Sequence, residues 1–75
     1  MSAGDLRAAR KDLTRLERQL DKLADRETRL NESLAEHGSD YEKIIELEAQ
    51  VKTVQGERAQ VEEAWLELAE QVPEQ

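Results

Sequence analysis

The sequence predicts an all-α fold, an antiparallel two-helix coiled-coil hairpin that forms a single domain over residues 1–75. Charged residues make up 39% of it and aromatic residues only 3%, as is typical of long solvent-exposed helices. Apolar residues recur with heptad spacing in both halves, and a turn sequence separates the two stripes. We expect helix 1 at about 5–36, the turn at 37–39 and helix 2 at about 40–72.

The first half carries a heptad stripe in which apolar side chains alternate at spacings of three and four. Glu27 is its one polar a position. The apolar a positions are Leu6, Leu13, Leu20 and Leu34, and the d positions are Ala9, Leu16, Leu23 and Leu30.

The second half carries a matching stripe with Arg58 as its one polar a position. We expect Trp65 to be a core residue, although a base-stacking role is the alternative. We expect Glu27 and Arg58 to extend outward to solvent, because simple pairing places them one heptad apart; a register-setting role is the alternative. The apolar a positions are Ile44, Val51, Trp65 and Val72, and the d positions are Leu47, Val54, Val61 and Leu68.

The turn predicted between the stripes has both a helix stop and a helix start. Gly38 is suited to the left-handed conformation that closes a helix, and Ser39 with Glu42 forms a capping-box pattern. Pro73 ends helix 2. This turn favours a monomeric hairpin over one continuous dimerising helix, while a dimer of hairpins remains an alternative.

The composition argues against an enzyme. A two-helix rod has no concave, water-excluding site for acid-base chemistry, and the sequence has no phosphate-binding glycine loop. With zero Cys and one His, His37, no metal site is expected, and we read His37 as a turn residue. We therefore expect no catalytic residue, no cofactor, no membrane span and a cytoplasmic location.

Charge is unevenly distributed along the chain, whose formal net charge is −7. Residues 1–29 have a balance of +2 and residues 30–75 a balance of −9. Seven cations of helix 1 follow one another at spacings of three or four and fall within an arc of roughly 100° opposite the leucine stripe. This pattern indicates either a phosphate-binding surface or simply a solvated face. The seven residues are Arg7, Lys11, Arg15, Arg18, Lys22, Arg26 and Arg29.

The second half also carries a family resemblance. The Asp40-Tyr41 pair that enters helix 2, the Glu57-Arg58 pair and the Glu-Glu-Ala-Trp-Leu-Glu-Leu run at 62–68 resemble the C-terminal domain of ABC-F ATPases. Those proteins are soluble and have two fused ABC cassettes. The resemblance implies an accessory hairpin excised from a longer ATPase, whose family acts on the ribosome or is described as contacting DNA.

Two main functional hypotheses follow. In the first, the hairpin binds nucleic acid, DNA or ribosomal RNA, through the seven cations of helix 1, and the cassettes of the parent chain are its second partner. In the second, it is a structural or protein-interaction coiled coil whose acidic second helix docks a basic partner or the parent's cassettes. A hairpin like the tRNA-binding arm of some synthetases is a third, less specific possibility.

Overall fold

The computed structural model describes residues 1–73, and it contains two helices, α1 (Ala3–Glu36) and α2 (Tyr41–Gln71), with no strand in that range. The helices fold back on each other and make a rod of 56 × 15 × 14 Å. The prediction of an all-α helical hairpin is confirmed. The last two positions of the predicted domain, 74 and 75, lie outside the described residues.

Ser2 is the N-cap of α1. The helix begins at Ala3, two residues before the predicted start at about residue 5. The Asp5 backbone N–H donates to the Ser2 hydroxyl at 3.1 Å, and the Leu6 N–H donates to the Ser2 carbonyl at 2.9 Å. Asp5 also places a carboxylate in the first turn, where it interacts favourably with the helix dipole.

The turn between the helices uses a different backbone from the one expected at Gly38. No glycine among residues 1–73 has a positive φ, so the predicted left-handed conformation is wrong. His37 ends α1, and its N–H donates to the Ser33 carbonyl at 2.9 Å. The Asp40 N–H then donates to the His37 carbonyl at 2.9 Å, which closes a four-residue turn without a left-handed residue.

The N-cap of α2 is Asp40, so the predicted Ser39–Glu42 capping box is also wrong. The Asp40 carboxylate accepts the Lys43 N–H at 3.2 Å, and the Asp40 carbonyl accepts the Ile44 N–H at 3.0 Å. Both Ser and Asp are good caps, but an ionised carboxylate makes a stronger, charge-assisted bond and complements the helix dipole.

The core of the hairpin is formed by d positions of both stripes. In α1 the buried residues are Ala9, Leu16, Leu23 and Leu30, and in α2 they are Leu47 and Val54. The main cluster is Leu23, Leu30, Leu47 and Val54, with Leu34, Val51 and Val61 packed against it. The a positions are half-buried throughout, because two helices cannot enclose a whole heptad stripe. The main cluster lies in the half of the rod nearer the turn, and Ala9 and Leu16 are buried in the other half.

The two polar a positions contact each other, contrary to the expectation that both extend to solvent. Arg58 Nη1 lies 3.4 Å from Glu27 Oε1, and Arg58 Nε donates to Glu62 Oε1 at 3.2 Å. Side chains on a helix lean toward its N-terminus. In an antiparallel pair Arg58 therefore extends toward the turn and Glu27 extends away from it. The two side chains together bridge the one heptad that separates their positions.

Trp65 lies half-buried on the seam and is not one of the buried core residues. Its indole Nε1 is buried, and among residues 1–73 no acceptor lies within hydrogen-bonding distance. The ring therefore buries apolar surface toward the end of the rod away from the turn, but its indole N–H is left without a hydrogen-bond acceptor, which is unfavourable.

Candidate functional site

The seven cations predicted on helix 1 all project from α1 as exposed side chains. We call this surface the cationic face: Arg7, Lys11, Arg15, Arg18, Lys22, Arg26 and Arg29. The heptad stripe of α1 is turned toward α2, so residues at the intervening positions face solvent. The same periodicity that builds the core thus gathers these cations on the opposite side of the helix.

The cationic face is a line and not a compact patch. At 1.5 Å of rise per residue, the span from residue 7 to residue 29 is about 33 Å, and successive cations are offset by about 4.5 or 6 Å along the axis. That length corresponds to about one turn of duplex nucleic acid. A straight rod can contact a curved duplex over only part of this length, whereas a flexible single strand could follow it further.

Most of the cationic face is free of internal ion pairs. Within residues 1–73, the only ion pair that includes one of the seven joins Arg15 Nε to Asp12 Oδ1 at 3.8 Å. The two side chains are 66% and 56% exposed, so solvent screens this contact strongly. The other six cations have no carboxylate within 4.0 Å in the same part of the chain, which leaves them available to a phosphate.

Two carboxylates lie among the cations. Asp12 lines the same groove as Lys11, Arg15 and Arg18. Asp25 lines a second groove with Lys22, Arg26 and Arg29. These carboxylates reduce the positive charge of the cationic face at two points.

The long side chains of the cationic face enclose two shallow, open grooves on the surface of α1. The larger has a volume of about 700 Å³ and extends from Lys11 to Lys22, and the smaller has a volume of about 290 Å³. Both lie on the outside of a single helix and are open to solvent. They suit an extended polyanion lying across the side chains better than a small molecule that must be enclosed.

The eighth cation of the first half, Arg10, does not belong to the cationic face. It is half-buried at an e position beside the seam, and its carbonyl accepts the Thr14 hydroxyl at 3.1 Å. Its position in the heptad separates it from the other cations.

The acidic helix α2 does not cancel the cationic face at physiological salt. The rod is 15 × 14 Å in cross-section, and the outward carboxylates of α2 lie on the far side of it. Exposed charges further apart than a Debye length of about 8 Å are largely screened from each other. Screening therefore limits how far the carboxylates of α2 offset the cationic face, within a chain whose net charge is −7.

In the part of the chain that the structure describes, no group of three or more His, Asp or Glu side chains is arranged to hold a metal ion. Neither helix has a stretch both long enough and apolar enough to cross a membrane.

Comparisons with known proteins identify one family. The family model described as ABC transporter C-terminal domain matches residues 7–70. The matched range includes the whole cationic face, the turn and nearly all of α2. Comparison with curated proteins and with solved structures finds no significant match.

Proposed function

Because the chain belongs to the family of ABC transporter C-terminal domains, we propose that it is an accessory hairpin of an ABC-F ATPase that binds nucleic acid, DNA or ribosomal RNA, through the cationic face. The chain is not itself an enzyme, since its family is an accessory domain of ABC transporter-type ATPases. The proposal assigns it the task of holding a polyanion, while catalysis belongs to the ATPase cassettes.

The observation that carries the proposal is the alignment of seven exposed cations along α1, six of them without an ion pair among residues 1–73. Lys and Arg that serve only solubility are usually interspersed with acids that pair with them. Phosphate binding requires the opposite arrangement, in which cations follow one line and their counterions are exchangeable.

The setting of the hairpin is part of the proposal. We place it in the cytoplasm, in the ABC-F branch of soluble ATPases with two fused cassettes, on the strength of the Asp40-Tyr41, Glu57-Arg58 and 62–68 features. Its partners would be nucleic acid and the cassettes of the parent chain. The hairpin would act as a monomer, because its core cluster forms within one chain. Its proposed binding role requires no cofactor.

The alternative function is a structural or protein-interaction coiled coil without nucleic-acid binding. The observation that favours it is the acidity of residues 30–75, whose balance of −9 would repel a polyanion that approached α2. This alternative predicts that oligonucleotides do not bind even at low salt.

Fluorescence anisotropy with labelled duplex, branched and single-stranded oligonucleotides, at several salt concentrations, tests the proposal. We expect sequence-tolerant binding that weakens steeply with salt. In a plot of the logarithm of the binding constant against the logarithm of the salt concentration, the magnitude of the slope should fall by about 0.9 for each duplex phosphate contact removed. The variant Arg15→Glu/Arg18→Glu/Lys22→Glu should abolish binding and keep its helicity, because all three side chains are exposed.

A matched pair of neutralised variants separates local from net charge. Arg18→Gln/Lys22→Gln and Lys43→Gln/Lys52→Gln change the net charge equally, and all four residues are exposed. We expect the first pair to weaken binding and the second to leave it nearly unchanged. Equal effects of the two pairs, or binding that survives the triple reversal, would contradict a role for the cationic face.

A further inference from the structure

The outward side of α2 carries a second stripe that the hairpin itself does not cover, made of four apolar residues, one glycine, Lys52 and Glu63. Its residues recur at spacings of four and three, as the seam residues do, but at b and f positions. We call this stripe the outer face of α2: Ile45, Ala49, Lys52, Gly56, Ala59, Glu63 and Leu66. Ile45 is 52% exposed and Leu66 is 56% exposed. Apolar residues therefore lie on two sides of α2.

The centre of the outer face is small and open. A Cβ added at Gly56 would have no atom within 4 Å, and the neighbouring Ala49 and Ala59 are exposed. Glycine is unfavourable inside a helix, yet here the space above it is used by nothing in the hairpin. Small residues let another helix approach closely, since interaxial distances depend on the side chains at the contact.

Carboxylates border the outer face on both sides. Glu46 and Glu67 lie on one flank and Glu48 and Glu62 on the other, and all four are exposed. Glu62 already pairs with Arg58 at 3.2 Å, whereas the other three have no ion pair within residues 1–73. Lys52 and Glu63 lie on the stripe itself, so an occupant must bring apolar side chains opposite Ile45, Ala49, Gly56, Ala59 and Leu66 and positive charge at the edges.

We propose that the outer face of α2 binds an amphipathic helix of a partner protein whose apolar ridge is flanked by Lys and Arg. The ridge would pack over Ala49, Gly56 and Ala59 between the exposed side chains of Ile45 and Leu66. The flanking cations would pair with the carboxylate rows. The stripe from 45 to 66 spans about 32 Å, which corresponds to three heptads of a helical partner.

Charge and shape exclude the other occupants that the chain itself suggests. Two outer faces brought together would place carboxylates against carboxylates, which disfavours pairing of α2 with α2 of a second copy. The cationic face of a second copy has the right charge, but it lacks a ridge: among residues 1–73 the exposed large apolar side chains are Met1, Tyr41, Ile45 and Leu66. A polyanion is repelled by the same carboxylates.

Isothermal titration calorimetry of the full chain with designed helical peptides tests the proposal. The first peptide, of about 21 residues, carries Leu and Ala on one face and Lys on both flanks. One control replaces Lys by Glu, and another keeps Lys but replaces Leu and Ala by Gln. We expect the first peptide to bind and each control to bind at least about tenfold more weakly.

Variants of the chain assign the binding to the outer face. Ile45→Gln/Leu66→Gln should weaken binding about tenfold, whereas Ala8→Gln/Ala35→Gln, at exposed positions of α1, should not change it. Gly56→Gln is the sharpest test: it should raise the melting temperature of the hairpin, because Gln is a better helix former, and yet weaken binding by filling the open space.

Three results would overturn the proposal. Equal binding of the Gln-faced, Lys-flanked peptide would show attraction by charge alone. Unchanged binding to both the Ile45→Gln/Leu66→Gln and the Gly56→Gln variants would place the peptide elsewhere. Sedimentation equilibrium that shows self-association of the wild type, lost in the Ile45→Gln/Leu66→Gln variant, would make a second copy the occupant. Oligonucleotide binding, which concerns the cationic face, is unaffected by these outcomes.

Discussion

Among residues 1–73, Val54 is the only large side chain that is fully buried, at 0% exposure, and it packs in the cluster with Leu23, Leu30 and Leu47. Removing two methyl groups there should leave a cavity between the two helices. We expect Val54→Ala to lower the free energy of unfolding by about 2 kcal/mol in urea denaturation. Val72→Ala, at a half-buried position, should cost clearly less. Equal losses would mean that packing is uniform along the rod.

Gly56 gives a prediction of the opposite sign. An added Cβ meets no atom within 4 Å, and the backbone does not have a positive φ. Gly56→Ala should therefore raise the free energy of unfolding by about 1 kcal/mol, the usual difference in helix propensity. The midpoint of urea denaturation measures this gain. A loss of stability would show that the helix around Gly56 is not regular.

The Glu27–Arg58 ion pair should contribute only modestly to stability. The side chains are 20% and 42% exposed, and the distance of 3.4 Å is that of a single contact. A double-mutant cycle with Glu27→Gln and Arg58→Gln should give a coupling energy of about 0.5 to 1 kcal/mol that shrinks as salt is added. Zero coupling at low salt would contradict the ion pair and indicate that both side chains extend to solvent, as the heptad spacing alone suggests.

At the scale of the helices, the N-cap of α2 predicts different stability effects for mutations at two neighbouring residues, Ser39 and Asp40. Asp40 accepts the Lys43 N–H at 3.2 Å, whereas Ser39 lies in the turn. Asp40→Ala should therefore lower the free energy of unfolding by about 1 kcal/mol, and Ser39→Ala should change it little. Thermal and urea denaturation of the two variants measure the contrast. A larger loss at Ser39 would restore the capping box predicted from the sequence.

The sequence was a good guide to the helices and the seam, since a leucine repeat has one face that must be buried. The sequence was a poor guide to how the turn caps the two helices. Gly38, Ser39 and Asp40 are all suited to stop or start a helix, and the choice among them depends on how the two helices meet. It also missed the Glu27–Arg58 contact, because residue spacing ignores the direction in which side chains lean.

The candidate site was predictable to a different degree on each helix. Exposure of the cationic face follows directly from the heptad pattern, and all seven side chains are exposed. The place of Asp12 in the groove did not follow, because a side chain at the edge of an arc can swing into it. The outer face of α2 was overlooked, since the stronger heptad stripe of the seam runs along the same helix at the same spacing.

Taken as a whole, the rod carries the cationic face on the outside of α1 and the outer face of α2, with its bordering carboxylates, on another side, across a thickness of about 15 Å. A coiled-coil hairpin is the smallest fold that can present two such lines at a fixed separation, because each helix needs the other to bury its stripe. The two proposed ligands, a polyanion and a basic helix, could then be held side by side without competing.

A single chain should be enough to form this rod. The seam residues of α1 and α2 cover each other, and the turn of about four residues costs little loop entropy, so we expect a monomeric hairpin. The chain has no Cys, which allows labels on cysteines introduced at the exposed positions Arg7 and Gln71. Adjacent helix axes are about 8–10 Å apart, so the two labels should lie within a few helix diameters of each other.

A continuous helix would separate the same labels by about 96 Å at 1.5 Å per residue, far outside that range. Electron–electron double resonance or energy transfer measures the distance, and sedimentation equilibrium measures the mass. A dimer of continuous helices would show long distances within each chain and twice the monomer mass. A dimer of hairpins would keep the short distance and double the mass, which would contradict the monomer but leave the hairpin intact. Short distances at monomer mass, unchanged as concentration rises, are the expected result, because the core cluster of Leu23, Leu30, Leu47 and Val54 is formed within one chain.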